Sequence, residues 1–367
     1  VRDIPNGPVV PPTASAGPAG SVAPIAGVPD YYVTLHPANP GAQPGLVIGD
    51  TFSGARLATI APPRGGSFVG VAGAADDRTF VVSTMPVDPT VQPSLPVTWY
   101  LLRIAPGGTP GYRLTRLAIP DMKSWAVQAI ALSGSGKQLA MTLLPAARHL
   151  DPGGWELRTY SVATGKLVGS WSLGGSAMLA YSYAFPGAQD GPLGWADGDR
   201  AIAFQYFDTI GTESARLLDV AARSGDLIAD SQVIWSTLMG GPGHPVAYRC
   251  YPETPRVAAD GKSVLCSTGP VGAKQGRSRV TLEWLASATT GPEVPRVLYK
   301  VTVDVPFGIQ LVSGVSWAGT SGGPVIAFWS DHPWASSDTH FGVIRHGQFL
   351  PLPPVPIALR EQPAVAW

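Results

Sequence analysis

The densest mixture of chemically capable side chains is the run Trp329-Ser-Asp331-His332-Pro-Trp334. Two indoles flanking a carboxylate and an imidazole can wall a ligand pocket. Equally, Trp329 can end a buried strand while Trp334 packs on a neighbouring loop. Tyr181, Tyr183 and Phe185 form a second aromatic group open to the same two readings. Asp208 and Glu213 are a carboxylate pair on one loop, spaced either as an acid/base couple or as a solvated surface. His36, His149, His244, His332 and His340 offer proton transfer or metal ligation. No His-x-His or His-x-x-x-His pair accompanies them, so neither a metal nor another cofactor is expected.

Cys250 and Cys266 are the two cysteines. Oxidised, they close a loop of about 15 residues worth about 3 kcal/mol, which places the chain outside the cytosol. Two reduced core thiols are the alternative; the further Cys or His of a zinc motif is missing. Lys and Arg total 25, as do Asp and Glu, and only 14% of residues are charged. Such a neutral surface supplies no electrostatic reason for nucleic acid or an anionic membrane as partner. No run of 18 apolar residues is present, so no segment is expected to span a membrane. Residues 1–29 are mostly Pro, Ala, Gly, Val and Ser and read as an extended tether. The chain opens on Val1 with no basic and apolar leader, so a signal peptide or anchor is expected upstream.

The elements that must position these groups are strands. With 44 Gly and 38 Pro, the chain suits many short strands joined by turns. An apolar strand, a tight Asp/Gly/Ser turn and a second apolar strand recur about every sixty residues. The turns are Ala74-Ala-Asp-Asp-Arg78, Ser133-Gly-Ser-Gly-Lys137, Asp197-Gly-Asp199, Ala259-Asp-Gly-Lys262 and Ala318-Gly-Thr-Ser-Gly-Gly323. Asp77, Gly136, Gly198, Gly261 and Gly322 mark the repeat. A second hairpin follows each unit; its outer strand in the third of these repeats is expected at 227–229. Four strands per repeat describe a propeller blade. At the ends, 31–35 lacks an inner strand, and 364–367 matches the end of one. Pairing them closes the ring and removes open edges. The expected fold is therefore all-β: a six-bladed β-propeller of four-stranded antiparallel blades over 30–367, closed by the C-terminal strand. Trp195, Trp317 and Trp367 share the end of the innermost strand and are expected to pack between blades.

The Ser133–Met141, Asp197–Phe204 and Ala259–Leu265 stretches resemble the strand, Ser-x-Asp-Gly-Lys, strand signature of TolB-like and WD-repeat propellers. The resemblance spans about residues 30–367. The Gly-His and Trp-Asp dipeptides of WD repeats are missing, which favours the TolB-like branch. It implies a fold shared by scaffolds, peptide binders, sensors and enzymes alike. Gly319-Thr-Ser321-Gly-Gly-Pro324 resembles the surroundings of the trypsin-like nucleophile. That chemistry also needs a His base and an Asp orienter in a different fold, and Ser321 falls on a tight turn.

Strand alternation puts the short turns on one face and the long connections on the other, with five of the histidines. Long structureless connections are usually functional. The expectation is thus a non-catalytic, extracytoplasmic, monomeric module binding a protein, peptide or cell-envelope ligand across the long-connection face. Its candidate contacts are Trp329, Asp331, His332, Trp334, Tyr181 and Tyr183. The alternatives are a propeller hydrolase or lyase using Asp208, Asp331 and His332, and the sensory part of a larger transmembrane protein.

Overall fold

In the computed structural model the strands nearer the axis are largely buried and the outer ones more exposed. That gradient follows from blades stacked face to face around an axis. Inner and middle strands are covered on both sides, whereas rim strands are not. The residues described are 22–36, 45–86, 96–105, 111–122, 124–145, 154–174, 178–179, 193–207, 213–222, 224–236, 256–268, 278–289, 295–305, 312–330, 339–353 and 365–367.

Blade 1 contributes β1 (Tyr31–His36), β2 (Gly45–Asp50) and β3 (Arg56–Ile60). Blade 2 is β4 (Gly66–Gly73), β5 (Thr79–Pro86), β6 (Thr98–Ile104) and β7 (Tyr112–Arg116). Blade 3 is β8 (Trp125–Leu132), β9 (Gln138–Pro145), β10 (Glu156–Ser161) and β11 (Leu167–Ser172). Blade 4 holds β12 (Met178–Leu179), β13 (Gly194–Ala196), β14 (Ala201–Phe207), β15 (Glu213–Asp219) and β16 (Ser231–Ser236). Blade 5 is β17 (Arg256–Val257), β18 (Ser263–Thr268), β19 (Ser278–Ala288) and β20 (Arg296–Val305). Blade 6 is β21 (Val312–Ala318), β22 (Val325–Ser330), β23 (Thr339–Arg345) and β24 (Gln348–Pro351). Finally β25 (Val365–Ala366) pairs antiparallel with β1, Val33 opposite Ala366 and Thr34 opposite Val365. All six sheets are antiparallel, and the C-terminal strand completes the blade that the N-terminal strands begin. The chain is a six-bladed β-propeller.

The five sequence markers share one backbone conformation. Asp77 (φ 51°), Gly136 (69°), Gly198 (62°), Gly261 (70°) and Gly322 (77°) all lie in the left-handed region. A two-strand return this tight needs one such residue, and Gly or Asp meets the need at low cost. The repeat was therefore readable because the same steric demand recurs.

Two local features depart from the sequence reading. Blade 4's outer strand is β16, not 227–229. Asp226 accepts the amides of Ile228 and Ala229 at 2.8 and 3.0 Å, folding that segment into a turn. The Arg216 guanidinium ties it down, donating to Ile228 O and Ser231 O at 3.1 and 3.0 Å. Leu227, completely buried, then fills the seam against Trp171 and Leu218. The innermost position of blade 4 is shared by two short strands: β12 pairs with Tyr206 and Phe207, β13 with residues 201–203 of β14. Blades 2 and 3 carry a β-bulge on their inner strands, opposite Ser83/Thr84 and Thr142/Leu143.

Residues 22–29, assigned to the tether from composition, lie against the ring. The Val22 amide donates to Phe52 O at 2.8 Å and Val28 is buried. Residues 1–21 lie outside the described residues.

Candidate functional site

The face formed by the short turns is held together by its own polar groups. The Asp30 amide donates to the Asp77 carboxylate at 2.6 Å, joining blades 1 and 2. The Ala75 amide donates to Gly134 O at 3.1 Å, joining blades 2 and 3. Asp199 accepts the amides of Gly134 and Ser135 at 2.7 and 3.0 Å, joining 3 and 4. The Asp197 amide reaches Ala259 O at 2.9 Å, and the Ala259 amide reaches Gly319 O at 3.0 Å. Asp260 accepts the Ser321 amide at 2.8 Å and its hydroxyl at 2.9 Å. At the closing seam the Trp367 indole N–H donates to Ser316 Oγ at 2.8 Å. Each pair of neighbouring blades is thereby joined by a hydrogen bond from turn or inner-strand groups.

Ser321 sits inside this belt. Its hydroxyl lies 2.8 Å from Ser263 Oγ as well as on the Asp260 carboxylate. The void beside it, about 10 Å³, is on the scale of a single water. The Asp260 carboxylate, bonded to both the amide and the hydroxyl, makes this a structural lock between the turns of blades 5 and 6. Burial pushes the Asp260 carboxyl up, but the Ser321 and Lys262 hydrogen bonds and the Lys262 charge outweigh it, leaving it below its ordinary value. Asp77 ends on the other side: burial raises its carboxyl more than the Asp30 amide lowers it.

Of the candidate ligand contacts, Trp329 is described and faces inward, 5% exposed. Its ring lies 5.8 Å from Trp284, 4.7 Å from Phe349 and 4.9 Å from His340, the last stacked at 19°. Trp284, Trp329, Tyr299 and Phe349 form the aromatic centre of the seam between blades 5 and 6. Asp331, His332, Trp334, Tyr181 and Tyr183 lie outside the described residues, as do Phe185, Asp208, His149 and His244. His36 ends β1 and Glu213 opens β15. Cys266, on β18, is buried and is not a free thiol. Cys250 lies outside the described residues, so no cysteine pair is present among them. The three inner-strand tryptophans pack between blades: Trp195 donates to Ala131 O at 3.0 Å, and Trp317 and Trp367 join the cluster closing blade 6 on blade 1.

A groove of about 790 Å³ opens on the rim between the segment entering blade 3 and that blade's outer hairpin. Arg158 borders it, its Nε donating to Glu156 Oε2 at 2.6 Å and its guanidinium lying 4.6 Å from the Trp125 ring centroid. Burial works against its charge, and the bonds to Glu156 and Tyr160 outweigh that, holding its pKa above the ordinary value. Alternation along Glu156-Leu-Arg158-Thr-Tyr160 already places these three side chains on one strand face. The wall opposite, from Ala118 to Trp125, is brought there by tertiary structure alone.

Several solved structures align with much of this chain at low identity. TolB from Acinetobacter baumannii aligns over 92% of this chain and 65% of its own, at 14% identity and a TM-score of 0.44. The putative TolB from Agrobacterium tumefaciens covers 91% of this chain and 96% of its own, at 10% identity and a TM-score of 0.43. An oligogalacturonate lyase in complex with manganese covers 85% and 72%, at 10% identity and a TM-score of 0.42. This chain thus spans less than two thirds of the first of these proteins. No protein-family model matches the sequence, and no curated protein matches it. At such identities and TM-scores the likeness assigns no activity.

Proposed function

We propose that this propeller is a non-catalytic extracytoplasmic binding module that recognises a protein, peptide or cell-envelope ligand with its long-connection face. The observation that carries this reading is the interblade belt. On the short-turn face, Asp77, Asp199, Asp260 and their amide partners are already engaged with one another. Those carboxylates are committed to holding the turns to one another, whereas residues 331–338, with Asp331, His332 and Trp334, join the other ends of β22 and β23. An oxidised pair of Cys250 with Cys266 belongs to the same reading and would place the chain in an oxidising compartment.

A photo-crosslinking amino acid placed at Trp334, and separately at Ser135, tests the choice of face in the source cell. Adducts from position 334 and none from 135 are expected; the reverse pattern sinks the proposal. Intact mass before and after reduction and alkylation checks the disulfide, which is absent if both thiols alkylate without reductant. Labelling of Ser321 by a fluorophosphonate would count against the non-catalytic reading.

A further inference from the structure

Outer strands expose a row of backbone donors and acceptors, and proteins usually guard them with charge. Here β7 carries Arg113 and Arg116, and β20 carries Arg296 and Lys300. β11, Leu-Val-Gly-Ser-Trp-Ser, carries no charge, as β16 and β24 do not, and of these three it is the one with two large apolar side chains exposed side by side. Its first two residues, Leu167 and Val168, are 52% and 48% exposed, among the most exposed large apolar side chains described.

One end of this edge is already occupied by strand-like backbone. The Ser172 amide donates to Gly225 O at 2.8 Å and Ser172 O accepts the Leu227 amide at 3.0 Å, a parallel bridge from blade 4. Those bonds establish that Ser172 turns both backbone groups outward. Alternation then turns the N–H and C=O of Ser170 outward too, and neither has a partner among the described residues. Beside this open stretch lies the rim groove, bordered by Leu167, Lys166, Arg158 and Trp125, with Asp121 the one carboxylate among the lining residues described. Arg158 shares a sheet face with Ser170, its register partner, and is already oriented by Glu156 and Trp125. Lys166, next to Leu167, has no ion pair among the described residues.

We infer that the free edge of β11 is a docking site for an extended peptide segment of a partner, which adds to blade 3 as a further strand. Ser170 supplies the backbone bonds, continuing the layer that Gly225–Leu227 begins. Side chains of the added strand pointing toward the groove meet Leu167, with Lys166 beside it at one end and Arg158, opposite Ser170 and paired with Glu156, at the other. The segment therefore carries an apolar residue and a carboxylate on the same face, two positions apart. This site lies on the rim, apart from the long-connection face, and stands whether or not that face binds anything.

The test uses the full chain and a fluorescein-labelled peptide, Thr-Val-Thr-Glu-Thr-Val-Thr, followed by anisotropy. Saturable binding is expected, weaker when Lys replaces the peptide's Glu. Ser170→Pro deletes an outward donor while sparing the inner ladder and should weaken binding by at least about tenfold, whereas Ser170→Ala retains it. Should Ser170→Pro fail to fold, Leu167→Lys reads the same edge through its apolar contact, with a similar loss expected. Absence of saturable binding to the natural chain overturns the proposal, as does equal binding by Ser170→Pro. Self-association that Ser170→Pro abolishes makes a second copy the occupant and also overturns it. Binding that appears only after residues 1–21 are removed assigns the edge to this chain's own leading segment, with the same consequence.

Discussion

The seam between blades 5 and 6 and the seam between blades 6 and 1 meet the same need by different means. The first joins blades continuous in the chain. It combines an aromatic centre of Trp284, Trp329, Tyr299 and Phe349 with the Asp260–Ser321 lock on the short-turn face. The second must hold the two ends of the chain together with only two residues of β25. Its strength is concentrated in Trp367, which packs 5.6 Å from Tyr32 and donates to Ser316. Tyr32 and Phe341 are buried beside it. Where the chain is continuous, many modest contacts share the work. Where it is not, one large side chain concentrates apolar burial and a hydrogen bond in one place.

Removing Trp367 should break that contrast most directly. Trp367→Ala is expected to cost about 3–5 kcal/mol by denaturant titration and to speed amide exchange in β1 and β25 before other strands. Uniform exchange across all blades would mean that closure is not concentrated there. Next in size is the carboxylate lock. Asp260→Asn should cost about 1 kcal/mol at neutral pH, discounted because the turn is partly exposed. The Asp260 carboxyl is held below 3.8 in the folded chain. Its contribution is therefore present above that value and is lost as pH falls through the lower folded one. Asp77 has the opposite sign. Its carboxyl is raised, so ionisation works against the fold, and the folded state gains relative to the unfolded as pH drops through the raised value. Asp77→Asn should change stability little at pH 7, and the two variants should diverge in their acid titrations; parallel curves would refute the distinction. The smallest effect returns to the closing seam. The Tyr32 hydroxyl is buried without a hydrogen-bond partner among the described residues, and burial, reinforced by Asp50 against Arg56, pushes its pKa up to about 12. Tyr32→Phe removes an unsatisfied group and should raise the melting temperature, by an amount matching up to about 1 kcal/mol; a loss would reveal a bound water.

Much of the fold was legible because its constraints are local. The left-handed residue of each inner turn, the doubly buried apolar runs such as β9, and the match between the last residues and the missing strand of blade 1 are all written in residue order. Blade 4 was misread at its rim because Leu227-Ile-Ala229 has a strand's apolarity, which hid the local turn that Asp226 caps, and the Arg216 guanidinium that ties this turn down comes from the neighbouring strand. The site was less legible. For Trp329 both a pocket wall and a buried strand end were open, because sequence reports an aromatic beside Asp331 and His332 but not which way its ring turns. The strand register directs it into the aromatic seam. The rim groove was missed because Trp125 and Arg158 belong to segments with no shared motif.

Periodicity by itself determined that this chain is a ring of six blades and where it closes, since each blade repeats the same steric demands within a few residues. Only the tertiary structure decided which polar groups are spent on holding the ring and which edge is left open. Those outcomes depend on pairs such as Asp199 with Gly134, or Ser172 with Gly225, that are distant in the chain and meet once neighbouring blades pack.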